Sequence, residues 1–445
     1  MSITSKNPTR RTFGKIAAGM AVTIGGAALG GCSTGGGKPS PDAPLRIMAI
    51  NHVWSQAIRK HLPEFEERIG RRVSMSLLTS DQLANSYNVK LNASATDIDV
   101  MMVRALQEQL LFAHNGWLAD LTGLVEGDAA YNWADFLQAP RERSVTARKV
   151  LSVPVVTERP VLYYRKDLVK APATLDELME TALRLADRQR NFFGYVGRGQ
   201  RSGAVTMWSS FLYSFGGAFT LQGRSGIGRP EAITAYEYYG RLLERAGPPG
   251  ATNMSLEQAM PIFAQGKAAF YVDADAIYTN FLDPKISTVQ DTVGFAPFPA
   301  GPAGARPFNI PSWSLGISAF SRLRDEAWQF LRWATSPEMV RRLQAGGIPG
   351  ARQSAWSDPA TLASFPADLA RSMQAQAQTG VGLDRPDVLQ VGRARDIIGR
   401  PLVAGILGQP VGPVAREADA EFADFLARKH GVSQRVATSQ RRSRR

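Results

Sequence analysis

One cysteine in 445 residues, Cys32, excludes a disulfide framework and any site built from paired thiolates. Histidine is nearly as scarce. His52, His61, His114 and His430 are dispersed, and the chain has no His-Glu-x-x-His helix, no phosphate-cradling P-loop and no Gly-x-Ser-x-Gly elbow. Nor does any apolar run reach the roughly 18 to 20 residues that a spanning helix needs. Carboxylates are missing from both ends. The first 31 residues carry Lys6, Arg10, Arg11 and Lys15 and no acid, and the stretch from 428 onward carries Arg428, Lys429, Arg435, Arg441, Arg442, Arg444 and Arg445, again without one. Those eleven cations supply most of the +13 net charge, so the body between them is nearly neutral and no nucleic-acid partner is expected. With 44% hydrophobic residues and no fixed-period repeat, that body is long enough to bury two cores.

What is present begins at the N-terminus. Thr9-Arg10-Arg11-Thr12-Phe13-Gly14-Lys15 precedes a mildly apolar, Gly/Ala-rich run over 16–29 and then Gly30-Gly31-Cys32. The first segment resembles a twin-arginine export signal, with Arg10 and Arg11 as the receptor-read pair. Leu29-Gly30-Gly31-Cys32 resembles a lipobox, in which small residues admit the signal peptidase and the cysteine thiol receives the lipid. Residues 1–31 therefore read as a cleaved signal and 32–44, rich in Gly and Pro, as a lipidated tether. The expected product is an exported cell-envelope lipoprotein, palmitoylated and anchored by several acyl chains but not inserted, facing the periplasm or the cell exterior.

From residue 45 onward, short apolar strands alternate with helical patterns. Residues 45–50, 73–78 and 97–103 read as strands, the last a continuous apolar run of the kind buried on both faces, and the alternation predicts a parallel α/β lobe. Residues 54–69 have helical spacing that Pro63 should kink or divide. A second series follows Val153-Pro154. It has a strand at 161–164, a helix opened by the Thr174/Glu177 capping box and running through about Arg188, and a second capping box at Ser255/Gln258. Strands are expected at 268–272, 293–297 and 313–318. A last helix starts at Pro337 behind the Ser336 cap and ends at Gly346-Gly347.

The order of these segments resembles extracellular solute-binding protein family 1, the maltose-binding-protein-like receptors of ABC importers. The carriers are Gly116-Trp117-Leu118-Ala119-Asp120-Leu121 after the third strand, Leu162-Tyr163-Tyr164-Arg165-Lys166-Asp167-Leu168, Phe263-Ala264-Gln265-Gly266-Lys267, and Trp313-Ser314-Leu315-Gly316-Ile317-Ser318 with Glu326-Ala327-Trp328. The resemblance implies a periplasmic-binding-protein-like α/β fold: two α/β lobes, hinged by crossing segments near 156, 298 and 350, with a ligand cleft between them. Lobe 1 would take residues 45–155 plus 299–350 and lobe 2 residues 156–298 plus 351–428. Residues 429–445 would form a basic disordered tail. It further implies a monomer that captures a small polar solute, a sugar, sugar alcohol or oligosaccharide, and hands it to the transmembrane permease subunits. No cofactor and no metal are implied.

In open α/β sheets, ligands sit at the carboxyl ends of strands. On those grounds Asn51, Trp54, Ser80 and Arg104 are the expected contacts from lobe 1, and Trp208, Asp273 and Trp313 supply further stacking faces and a hydroxyl acceptor. Arg159 and Arg352, at the first and third crossings, are candidate clamps. With Arg104 they keep open the alternative of an acidic or phosphorylated solute. Asp273 and Asp275 leave a second alternative, a secreted carbohydrate-acting enzyme, which the scarcity of catalytic residue types disfavours; a non-enzyme is expected.

Overall fold

A computed structural model describes residue 40 and residues 42–442, the side chains of 80, 81, 377, 378 and 429–442 apart. Strand β1 (Leu45–Ile50) leads into α1 (Val53–Arg59) and α2 (Leu62–Ile69). The helical spacing over 54–69 is thus divided, because Pro63 lacks an amide proton and fits only in the first turn of α2. Then come β2 (Val73–Leu78), α3 (Ser80–Asn92) and β3 (Val100–Val103). Farther along, β4 (Val153–Glu158) is followed by β5 (Pro160–Arg165), with only Arg159 between them. Next are α4 (Leu175–Leu185), β6 (Phe193–Val196), α5 (Arg201–Ser214), α6 (Pro230–Ala246), α7 (Leu256–Ala264), β7 (Ala268–Ala274) and β8 (Val293–Ala296). The chain ends through β9 (Ile310–Ile317), α8 (Arg324–Ala334), α9 (Pro337–Ala345), α10 (Ala367–Thr379), α11 (Val391–Ile406) and α12 (Val411–Arg442).

Two sheets organise the chain, ordered β2-β1-β3-β9-β4 and β8-β5-β7-β6. Neither is wholly parallel. β1, β2 and β3 run parallel, but β9 is antiparallel to both of its neighbours, and β5 is antiparallel to β7 and β8. The expectation of a parallel lobe fails at the strands that arrive from the other lobe, since a chain entering across the hinge is free to choose its direction. The crossings themselves lie at Arg159, at residues 297–309 between β8 and β9, and after α9.

The capping boxes set helix starts. Ser255 and Gln258 satisfy one another's amides as expected. Thr174 accepts from the Glu177 amide, whereas Glu177 accepts from Ala173 rather than from the cap residue, and the helix stops at Leu185 instead of Arg188. α12 carries helical backbone to Arg442, into the segment expected to be a disordered tail. The lobe-1 core gathers Trp54, Ile58, Phe65, Phe330 and Trp333 around its sheet. In lobe 2, Trp208, Phe211, Tyr236 and Tyr239 fill one face of the sheet and Tyr163, Phe263, Tyr271 and Phe281 the other.

Candidate ligand-binding cleft

The carboxyl ends of β3, β4, β6 and β7 bring a charged cluster together at the junction of the two sheets. Arg104 follows β3, and its guanidinium pairs with Glu108 at 2.9 Å while lying 5.4 Å from the centre of the Trp313 ring. Trp313 sits where the β9–β4 register shifts, a bulge that re-aims its side chain toward Arg104 and His52. His52 caps α1 by accepting from the Trp54 amide, and burial lowers its pKa to about 4, so it is neutral at ordinary pH.

From the other side, Asp273 at the end of β7 is fully buried and saturated. It accepts from Arg198 at 2.8 Å, from the Tyr271 hydroxyl at 2.6 Å and from the Ala274 amide. Glu158, the last residue of β4, lies near Arg198, Asp273 and Asp275. Burial pushes its carboxyl up to about 7, against the opposing effect of a hydrogen bond with Ser312. Arg385, in the loop before α11, pairs with the buried Asp384 at 2.8 Å and spans the junction to Gln107 at 2.9 Å. Arg395, near the start of α11, donates to the Ser202 carbonyl at 2.9 Å and to the Thr206 hydroxyl at 3.1 Å.

Of the residues expected at the cleft, the structure brings Arg104, Trp313 and Asp273 into this cluster and sends the others elsewhere. Trp54 is 1% exposed within the lobe-1 core. Trp208 is wholly buried and stacks on Tyr236 with ring centres 4.0 Å apart. Trp54 lies on the buried face of α1 with Ile58, and Trp208 lies on a helix buried on all sides from Ala204 to Ser214. Asn51 is exposed and accepts from Gln56, beside a 420 Å³ hollow lined by Arg59, Lys60 and Leu77, all lobe-1 residues. Ser80 opens α3 just after β2, but its side chain lies outside the described set.

Arg159 and Arg352 are fully buried hinge residues. Arg159 pairs with Asp275 at 2.7 Å and lies 4.6 Å from the centre of the Trp356 ring. Arg352 donates to the carbonyls of Thr335, Asn132 and Tyr131 and to Asp135, over the face of Phe136. Cys32, Arg10 and Arg11 fall outside the described residues.

Sequence reasoning missed Arg198, Glu158, Asp384, Arg385 and Arg395. Arg198 and Glu158 were findable as residues at or just beyond strand ends. The other three come from a loop and a helix whose approach to the cleft depends on the third crossing, for which no local signal exists.

The model of the family described as bacterial extracellular solute-binding protein matches residues 52–341. The chain belongs to that family. Among characterised relatives of this solute-binding protein, the erythritol/L-threitol-binding protein of Mycolicibacterium smegmatis is 25% identical over 339 residues, 70% of each chain. The mannitol-binding protein of Pseudomonas aeruginosa is 29% identical over 307 residues, 65% of this chain and 69% of that one. Maltose-bound MalE3 of T. maritima superposes with a TM-score of 0.74 at 25% identity, covering 86% of this chain and 99% of that one. A ribitol complex of an ABC transporter solute-binding protein from Agrobacterium radiobacter shares the fold at the same TM-score and 24% identity, with the same coverage. These comparisons fix the periplasmic-binding-protein-like architecture, two lobes with a cleft between them, and relate the chain to binding proteins.

Proposed function

We propose that this protein is the exported, lipid-anchored receptor of an ABC importer for a sugar or sugar alcohol, and that it captures its solute by closure of two lobes. The reading rests on one observation above the rest: the cleft combines a flat indole, Trp313, with directional donors and acceptors, Arg104, Arg198 and Glu158, as a polyhydroxy ligand requires. The names of the two polyol-binding relatives support the same class. In this reading residues 45–155 with 299–350 and 156–298 with 351–428 form the lobes, Asp273 holds Arg198 in place, and the open state binds solute on one lobe before the second adds contacts. Arg10 and Arg11 direct export and Cys32 carries the lipid. The partners are the permease subunits that recognise the closed form.

The test is the melting midpoint of the full chain against maltose, mannitol, erythritol and ribitol, each with its acidic or phosphorylated derivatives, with amino acids as controls. A ligand at a hundred times its Kd adds about 2.7 kcal/mol to the folded state, enough for an unmistakable shift. A shift with any of the carbohydrates supports the reading. A shift with amino acids alone refutes it.

A further inference from the structure

The cleft's charges are not all paired one to one. Three of its arginines are matched one to one: Arg104 with Glu108, Arg198 with Asp273, and Arg385 with Asp384. Arg395 is not. Its Nε and one terminal nitrogen are spent on neutral acceptors, the Ser202 carbonyl and the Thr206 hydroxyl, and among the described residues it makes no ion pair. The nearby cations repel it. Burial, and then Arg385, Arg198 and Arg104, lower its pKa to about 9 against the opposing pull of Asp384. The one carboxylate not bound to an arginine, Glu158, is the group burial drives toward neutrality near pH 7.

A neutral donor such as glutamine could bond such acceptors without placing a cation beside three others. A charge kept at such a cost is explained when something negative arrives to meet it. Arg395 also sits beside the first turn of α5, whose amides receive no side-chain cap from Gln200. We propose that Arg395 is the seat of an anionic group, so that the ligand of the cleft is a sugar or polyol bearing one carboxylate or phosphate. This inference rests on the receptor reading and narrows it. The guanidinium fork matches either group through paired N–H donors, with its unused terminal nitrogen supplying the new bond.

Isothermal titration of the full chain distinguishes the possibilities. Gluconate and glucuronate form the carboxylate arm, mannitol 1-phosphate and glycerol 3-phosphate the phosphate arm, and mannitol, glucose and glycerol are their neutral parents. The expected result is binding in one acidic arm at least about tenfold tighter than its neutral parent, the effect of one charge-assisted hydrogen bond. That preference should weaken with added salt and disappear in Arg395→Gln. Arg395→Lys, which keeps the charge but not the fork, should retain part of it, so the result still reads if the glutamine variant does not fold.

Tighter binding of neutral parents than of both acidic arms overturns the inference and leaves the receptor reading intact. So does an acid preference that survives undiminished in Arg395→Gln. Absence of binding across all arms overturns the inference, while the receptor reading stands or falls on the melting series with maltose, erythritol and ribitol.

Discussion

The hinge ion pair makes a prediction opposite to the usual intuition about salt bridges. Arg159 and Asp275 meet at 2.7 Å with neither side chain exposed, yet both terminal nitrogens of Arg159 are buried without a hydrogen-bond partner. Burial raises the Asp275 carboxyl above its ordinary value even though Arg159 pulls it down, so desolvation exceeds attraction. A carboxyl raised on folding favours the protonated form in the folded state. Its contribution therefore improves as pH falls toward the unfolded-state value.

Removing only the anion, in Asp275→Asn, should cost about 3 to 5 kcal/mol, because it leaves a buried guanidinium unpaired. The double variant Arg159→Met with Asp275→Asn removes both charges. The asparagine oxygen still accepts from the Arg159 backbone amide, which now donates to Asp275 at 3.2 Å, and the thioether still packs on Trp356. Against a lost cation–π contact of about 1 kcal/mol stands the release of two orphaned donors, so the double variant should lie within about 1 kcal/mol of the parent. Urea unfolding followed by tryptophan fluorescence measures all three proteins. A double variant as unstable as Asp275→Asn would refute the argument, because it would mean the pair stabilises beyond its desolvation.

Three other outcomes are expected. Trp208→Phe should leave solute affinity within about twofold while lowering the melting midpoint, and Trp208→Ala should cost about 3 to 5 kcal/mol, since the indole is a core element stacked on Tyr236; calorimetry reads both. His52, held near 4 by burial, stays neutral when folded but charges at about 6.5 when unfolded, so stability should fall as pH drops from 6.5 to 4. In a pH series of urea unfolding, His52→Asn, which can still cap α1, should flatten that slope. Cys32→Ser should release the protein from the membrane fraction without changing its melting midpoint.

Local rules located much of the fold. Pro63, the Ser255/Gln258 box and the Ser336 cap with Pro337 act within one or two turns, where the sequence alone settles which amides are satisfied. They fail where a remote partner decides. β9 runs antiparallel because its chain returns across the hinge, and α4 stops at Leu185 although the residues beyond it could continue a helix. The site follows the same division. Arg104, Trp313 and Asp273 follow from strand ends, whereas Arg385 and Arg395 reach the cleft only because α11 lies against α5 and α6.

The aromatic expectations fail for a different reason, and it bears on how such clefts are built. Trp54, Trp208 and Trp313 all stand near strand ends or on helices facing the junction, so residue type alone ranks them equally as stacking faces. Burial does not separate them, since Trp313 is itself only 7% exposed; their neighbours do. An indole buries its area most favourably where its neighbours are apolar, and Trp54 and Trp208 have such neighbours on every side. Trp313 lies beside Arg104 and His52, and the bulge in β9 keeps it there instead of letting it turn into the sheet. Trp313 therefore gives part of its surface to a cation and a polar ring instead of to apolar neighbours alone. The backbone irregularity that keeps Trp313 at the junction is therefore a stronger sign of a ligand surface than the tryptophan itself.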